Sequence, residues 1–317
     1  MKSVHKYGVT LFLVLLVALS PSCKNRSNSD SKKIAIIVSS LNNSWFVFLA
    51  QSAAEHAKLM GYESKIFDSQ NNTAIEADNF ENAISSGYGA ILLNPTDSEG
   101  SVANVLKAKN AGIPVFCMDR EVNSTDDATS QILSDSYSGC VDLGKYFVKT
   151  TNAKGNYVEL LGIVADNNTW ARSKGFHSVV DYYPGLKMVA QQSADFDRNK
   201  GLEVMESILQ AHPDIVAVFC GNDAMAMGAY QALVSAGKAD QVKVVGFDGA
   251  GDAIDGIKDG KILATAMQFP KVMAQTAVEY AVDYFNGKRD FPKKIQIGVE
   301  VVTKENIDNY IAYGKKN

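Results

Sequence analysis

Short apolar runs alternate with amphipathic stretches along this chain, in two successive series. Ile34-Ala35-Ile36-Ile37-Val38 opens the first as a predicted buried strand. Phe46, Leu49, Ala50, Ala53, Ala57 and Met60 then recur at three- and four-residue spacing, one helical face that Gly61 closes. Strand-like runs follow at 64–67, 90–93 and 114–117, with predicted helices over 74–86 and 101–110. The rhythm restarts with strands at 157–161, 187–191, 215–219 and 243–247, again with helices between them. Residues 262–317 add a strand at 262–267, a helix near 272–286 and a closing segment. Continuous apolar strands separated by helices require parallel sheets covered on both faces. An α/β architecture of two doubly wound parallel-sheet lobes accommodates the two series better than one very large sheet. The length of 317 residues is room for about two domains of ~100–200 residues each.

The first residues read as an address. Lys2 and Lys6 precede an almost wholly apolar run from Val9 to Leu19, then Ser20-Pro21-Ser22 and Cys23. A basic start, a short apolar core and a small-residue end predict a secretory signal over 1–23. Cys23 stands where a lipoprotein would be cleaved and acylated; cleavage by an ordinary signal peptidase is the alternative. The polar, Ser/Asn-rich residues 24–32 read as a flexible tether. An extracytoplasmic protein, lipid-anchored through Cys23, is the expectation. The remaining cysteines (Cys117, Cys140 and Cys220) are expected to be buried small hydrophobes rather than bridge partners. Four scattered histidines make no metal or haem pattern, so no metal and no cofactor is expected. The net charge of −4 does not suggest the basic face that nucleic acid asks for.

Open parallel sheets bind ligands at the carboxyl ends of their strands. There this chain carries Ser39 to Phe46 after the first strand, Asn94 to Asp97 after the third, and Asp119-Arg120 after the fourth. In the second series come Arg172, then Asp195-Phe196-Asp197, Asn222-Asp223 and Phe247-Asp248, with Gln268 after the strand at 262–267. Carboxylates accept from vicinal hydroxyls, arginines donate to one or two, and flat aromatics cover the C–H faces of a sugar ring. No histidine lies in these loops to serve as a base for a nucleophile. Together they describe a carbohydrate site rather than a catalytic one. Simpler roles compete residue by residue. Asn43, Asn222 and Asp248 each precede a helix and could be caps, Asp119-Arg120 could be a surface ion pair, and Trp45 and Phe46 could pack in a core.

The runs VSSLNNSWF (38–46), DSQNN (68–72), NPTDS (94–98), DR (119–120), ADFDRNKG (194–201), HPDIVAVFCGNDAMAMGA (212–229) and VVGFDG (244–249) carry a specific likeness. From about Lys33 to Val302 the chain resembles the ribose-binding protein family, type I periplasmic receptors that feed ATP-binding-cassette importers. The resemblance implies two lobes joined by a three-strand hinge. Residues 33–134 plus 268–296 would form one lobe and 135–267 plus 297–317 the other. It implies that Ser39, Asn43, Asn94, Asp119, Arg120, Arg172, Asn222, Asp248 and Gln268 bond to sugar hydroxyls. Phe46, Phe196 and Phe247 would line the ring, with Trp45 beside them. It further implies a monomer that binds a monosaccharide, D-ribose first, and partners a membrane permease, with a chemoreceptor as a further partner. Allose, psicose, another pentose or a furanose is the alternative ligand, and sensing for chemotaxis the alternative role.

The likeness has departures. Trp45 stands where the ribose receptor has a smaller aromatic, Ser44 replaces a proline, and Asp166-Asn167-Asn168 replaces smaller residues. A tail from Thr303 to Asn317, starting like a helix, is expected to dock on one lobe. The same fold resembles the effector domain of lactose-repressor-like regulators, but a signal and tether occupy the place of their DNA-binding helices. An enzyme is not expected. Gly249-Ala250-Gly251 lacks the third glycine of a dinucleotide fingerprint, no phosphate loop ends in Gly-Lys-Ser/Thr, and 248–256 has the wrong spacing for calcium.

Overall fold

The computed structural model describes residues 33–316; the signal-like segment, the tether and Cys23 lie outside the described residues. Strands β1 (Lys33–Val38), β2 (Glu63–Asp68), β3 (Ala90–Leu93), β4 (Val115–Asp119), β5 (Ser130–Ser134) and β11 (Lys294–Ile297) form one sheet. Its order is β11-β5-β4-β3-β1-β2, and the pairings are parallel. A second sheet, ordered β12-β10-β9-β8-β6-β7, holds β6 (Gly155–Leu161), β7 (Leu186–Ser193), β8 (Ile215–Cys220), β9 (Lys243–Asp248), β10 (Ala264–Met267) and β12 (Glu300–Thr303). Only its edge pair, β10 with β12, is antiparallel.

The apolar runs behave as doubly covered strands must. In β1, Ile34 and Ile36 face one core cluster while Ala35 and Ile37 face another. Helix α1 (Ser44–Leu59) lays Leu49, Ala50, Ala53 and Ala57 against the first sheet. Its neighbour is α9 (Pro270–Phe285), whose Met273, Ala274, Ala277, Val278 and Ala281 are also buried. Alanine on both facing surfaces lets the two helices approach closely. Thus α9, late in the chain, covers the first sheet, whereas α4 (Ser136–Thr150) packs on α5 (Asn167–Val180) and the second sheet.

Among the described residues the chain passes between the two sheets three times: from β5 to α4, from β10 to α9 and from β11 to β12. At the middle passage, Gln268 accepts from Ser134 Oγ at 2.6 Å, tying two crossings together.

Two elements differ from the expectation. Strand β5 (SQILS) has too few apolar residues to stand out. It is buried because its polar groups are met: Ser130 Oγ donates to the Pro292 carbonyl at 2.6 Å, and Gln131 Oε1 accepts from Val122 N at 2.9 Å. The tail, expected to start as a helix and to dock on one lobe, instead forms a short 3-10 turn (Ile307–Asn309) and a hairpin, β13 (Tyr310–Ile311) with β14 (Gly314–Lys315). It touches both lobes. Tyr313 N donates to Gly249 O at 2.8 Å, while the Tyr313 hydroxyl meets Ser44 Oγ at 2.8 Å and its ring packs edge-on against Trp45. The cysteines Cys117, Cys140 and Cys220 are buried and free.

Candidate functional site

The carboxyl ends of both sheets face each other across a cleft. At its floor lies a tight inner pocket with about 20 Å³ of free space, lined by Asn43, Trp45, Phe46, Asp119, Arg120, Asp166, Asn168, Arg172, Phe196, Asn222 and Asp248. Asn43, Phe46, Arg120 and Phe196 also border a larger outer pocket at the mouth.

The walls are set by strand ends and helix starts. Asp119 ends β4 and Asp248 ends β9, both with positive φ (66° and 122°); Phe196 also lies at φ 60°. Non-glycine residues in this region store strain, which gathers where side chains must be aimed. Asn43 and Asn222 cap α1 and α7 (Asp223–Ser235): their Oδ1 atoms accept from Trp45 N and Met225 N, each at 2.9 Å. Capping and cavity lining therefore coexist in one side chain. Asp248 caps nothing, since α8 (Gly251–Lys258) begins after Ala250 without a side-chain cap.

Nine of the residues singled out from the sequence line this pocket. Four stand behind it: Ser39, Asn94, Phe247 and Gln268, each fully buried. Their work is to hold the wall. Ser39 Oγ donates to Asn94 Oδ1 at 2.7 Å, and Asn94 Nδ2 donates to Asp119 Oδ2 at 3.1 Å. Gln268 Nε2 donates to Asp248 Oδ1 at 2.7 Å. Phe247 lies beneath the Arg172 guanidinium, 3.9 Å from ring centre to Cζ. Reasoning from strand ends could not separate the two layers, because both leave the sheet at the same place. It also missed two lining residues, Asp166 and Asn168. Their departure from the smaller residues of the ribose receptors was the available signal.

The electrostatics suit a neutral polyol. Arg120 is no surface ion pair: it is 3% exposed, lies against Phe46, and its Nε is 2.6 Å from Asp166 Oδ2. Arg172 donates to the Gly221 carbonyl at 2.7 Å and stands 3.6 Å from Asp248. Burial pushes Asp119 up to about 6; Arg172 and Arg120 pull it down and Asp166 pushes it up. Burial raises Asp248 to about 7, Arg172 opposing and Asp119 adding. The neighbouring Asp223, whose Oδ2 accepts from Gly249 N and Ala250 N, is raised well above its ordinary value by burial and by Asp248.

Trp45 Nε1, Asp119 Oδ1, Asp166 Oδ2 and Arg172 Nε are buried at this pocket without an aligned hydrogen bond among the described residues. The Trp45 indole N–H does sit beside Asp119 and helps lower its pKa. Asp166 Oδ2 keeps its ion pair with Arg120, so the four atoms are not all without partners, but each has capacity for a further hydrogen bond, and a buried group left short costs ~1–3 kcal/mol.

Residues 34–289 match the model of the periplasmic binding protein domain. The D-apiose import binding protein of Paraburkholderia graminis is 44% identical over 274 residues, 86% of this chain and 88% of that protein. The ribose import binding protein RbsB of Escherichia coli is 40% identical over 295 residues, 92% of this chain and 97% of that protein. Among solved structures, an ABC transporter solute binding protein from Bacillus halodurans with bound myo-inositol is similar at a TM-score of 0.85 and 31% identity. That likeness covers 90% of this chain and 99% of that one. Another, from Actinobacillus succinogenes with bound D-allose, gives 0.82 and 32%, over 88% and 99%. Fold, cleft and likeness agree: this chain belongs to the periplasmic binding protein family, among the extracytoplasmic sugar receptors of ATP-binding-cassette importers.

Proposed function

We propose that this receptor binds one five-carbon aldose in the inner pocket and that its lobes close on the sugar, bending at the three crossings. The observation that carries the reading is the set of buried polar atoms with hydrogen-bonding capacity to spare, gathered from both lobes around one pocket lined by aromatic rings. Residues from both lobes supply them: Trp45 and Asp119 from the first, Asp166 and Arg172 from the second. A sugar can contact all of them only when the lobes are together, and that differential contact is what shifts the population toward closure. The closed face would then be what a membrane permease reads. D-ribose is the first candidate, from the long runs shared with the ribose receptors. D-apiose is the second, favoured by the higher identity to proteins named for it.

Melting-shift and calorimetric titration with ribose, apiose, allose, psicose, xylose, arabinose and galactose tests this. A pentose should bind most tightly and raise Tm most. A hexose preferred over both ribose and apiose would remove the pentose reading, and no response to any sugar would remove the receptor reading.

A further inference from the structure

The connection from β6 to α5 carries a third carboxylate into the pocket. Asp166 is 3% exposed, and its two oxygens have different surroundings. Oδ1 accepts from Asn168 N at 2.9 Å and so caps α5. Oδ2 is buried with no aligned donor, although Arg120 Nε lies 2.6 Å away. A carboxylate oxygen has two lone pairs, so an ion pair that directs no N–H along them leaves room for another donor. Asn168, two residues on, lines the same pocket and donates to the Asp119 carbonyl at 3.0 Å. This anchors the segment against the opposite lobe. Asn167 adds to the anchor by donating to Glu121 Oε1 at 2.9 Å and to Asn123 Oδ1 at 2.6 Å. The position of Asp166 is therefore held from both lobes.

We infer that Asp166 Oδ2 accepts directly from one hydroxyl of the bound sugar and thereby helps determine which sugar this pocket holds. The inference rests on the monosaccharide reading above. Its chemistry is specific. Asp119, Asp166 and Asp248 set three acceptor groups beside the two guanidiniums of Arg120 and Arg172, which favours a neutral ligand rich in hydroxyl donors. A uronate or a sugar phosphate would bring its own negative charge against this wall and is disfavoured, increasingly so as Asp119 and Asp248 ionise.

The test uses Asp166→Ser and Asp166→Asn, both of which keep a helix-capping oxygen. Calorimetry would be run with the sugar that binds the wild type best and with each of its monodeoxy analogues. For the wild type, removing the hydroxyl that meets Asp166 should cost at least about tenfold in affinity. In D166S the parent sugar should bind at least about tenfold more weakly, and that one analogue should show no further loss while the others keep their wild-type penalties. A uniform loss across parent and all analogues would overturn the inference, because Asp166 would then act only through Arg120 or lobe contact. Unchanged affinity would overturn it equally. If D166S fails to fold, the isosteric D166N carries the same comparison. A wild type that binds no monosaccharide overturns the receptor reading and this inference with it. A wild type that binds sugar while the variants match it overturns the inference alone.

Discussion

At the scale of single residues, the cleft is a charged network short of hydrogen bonds. Asp119 receives Asn94 on one oxygen and nothing aligned on the other. A hydrogen bond to a charged group contributes ~1.5–3 kcal/mol. Asp119→Ala or Arg120→Ala should therefore weaken sugar binding at least about tenfold by calorimetry; unchanged affinity in both would take them out of the site. The raised carboxyls set a pH dependence. Their contribution to the stability of the closed arrangement is fully present below the ordinary 3.8 and is lost as pH climbs through about 6 for Asp119 and about 7 for Asp248. Sugar hydroxyls favour the ionised forms, so binding should release protons and tighten from pH 5 to pH 8. Titrations in buffers of different ionisation heat check this; an affinity flat over that range would show that neither carboxyl meets the ligand.

Elements explain why these residues stay put. Helix α5 is braced on β6 by His177, whose Nε2 lies 3.0 Å from the buried Glu159 Oε2 and whose Nδ1 lies 2.8 Å from Asp181. Glu159, burial opposing, and then Asp181 raise the imidazole to about 9. The stability it adds is fully present below 6.5 and fades as pH rises through about 9. His177→Gln leaves Glu159 with Gln191, which donates at 2.6 Å. The variant should lose about 1–2 kcal/mol, less than for a fully buried, uncompensated charge, read as a lower urea midpoint with unchanged slope; an unmoved midpoint would show that the pair adds nothing. The tail hairpin acts at the same scale. Tyr313 is 7% exposed and packs on Trp45 and Phe48. Tyr313→Ala should cost about 3 kcal/mol and also weaken sugar binding, since Trp45 lines the pocket. Stability lost with affinity intact would confine Tyr313 to packing.

For the whole molecule, the three crossings and the contacts between lobes describe one closed arrangement. Arg120 with Asp166, Asn168 with Asp119 and Tyr313 with Ser44 all span it. With the sugar removed, the lobes should part. Small-angle scattering of sugar-free and saturated protein should then give a smaller radius of gyration for the saturated form. Equal radii would mean that the lobes are already closed without ligand.

The two-lobed α/β architecture was legible because strands such as β1 are apolar on both faces and helices such as α1 bury one stripe. That the inner pocket lies at the carboxyl ends of the sheets was legible too, because the chain leaves every parallel strand of a sheet at that one end. Three things were not. Strand β5 is buried through polar groups matched by partners distant in sequence, which periodicity cannot register. The division between the pocket wall and the layer behind it depends on side-chain direction at strand ends where φ turns positive. The place of Asp166 depends on the opposite lobe, because it becomes part of the pocket only when Arg120 is brought 2.6 Å away. Local pattern thus determined the lobes and the chemistry that they can present. Only the approach of one lobe to the other decided which groups meet, because contact across a cleft is a property of two surfaces and is written in neither stretch of sequence alone.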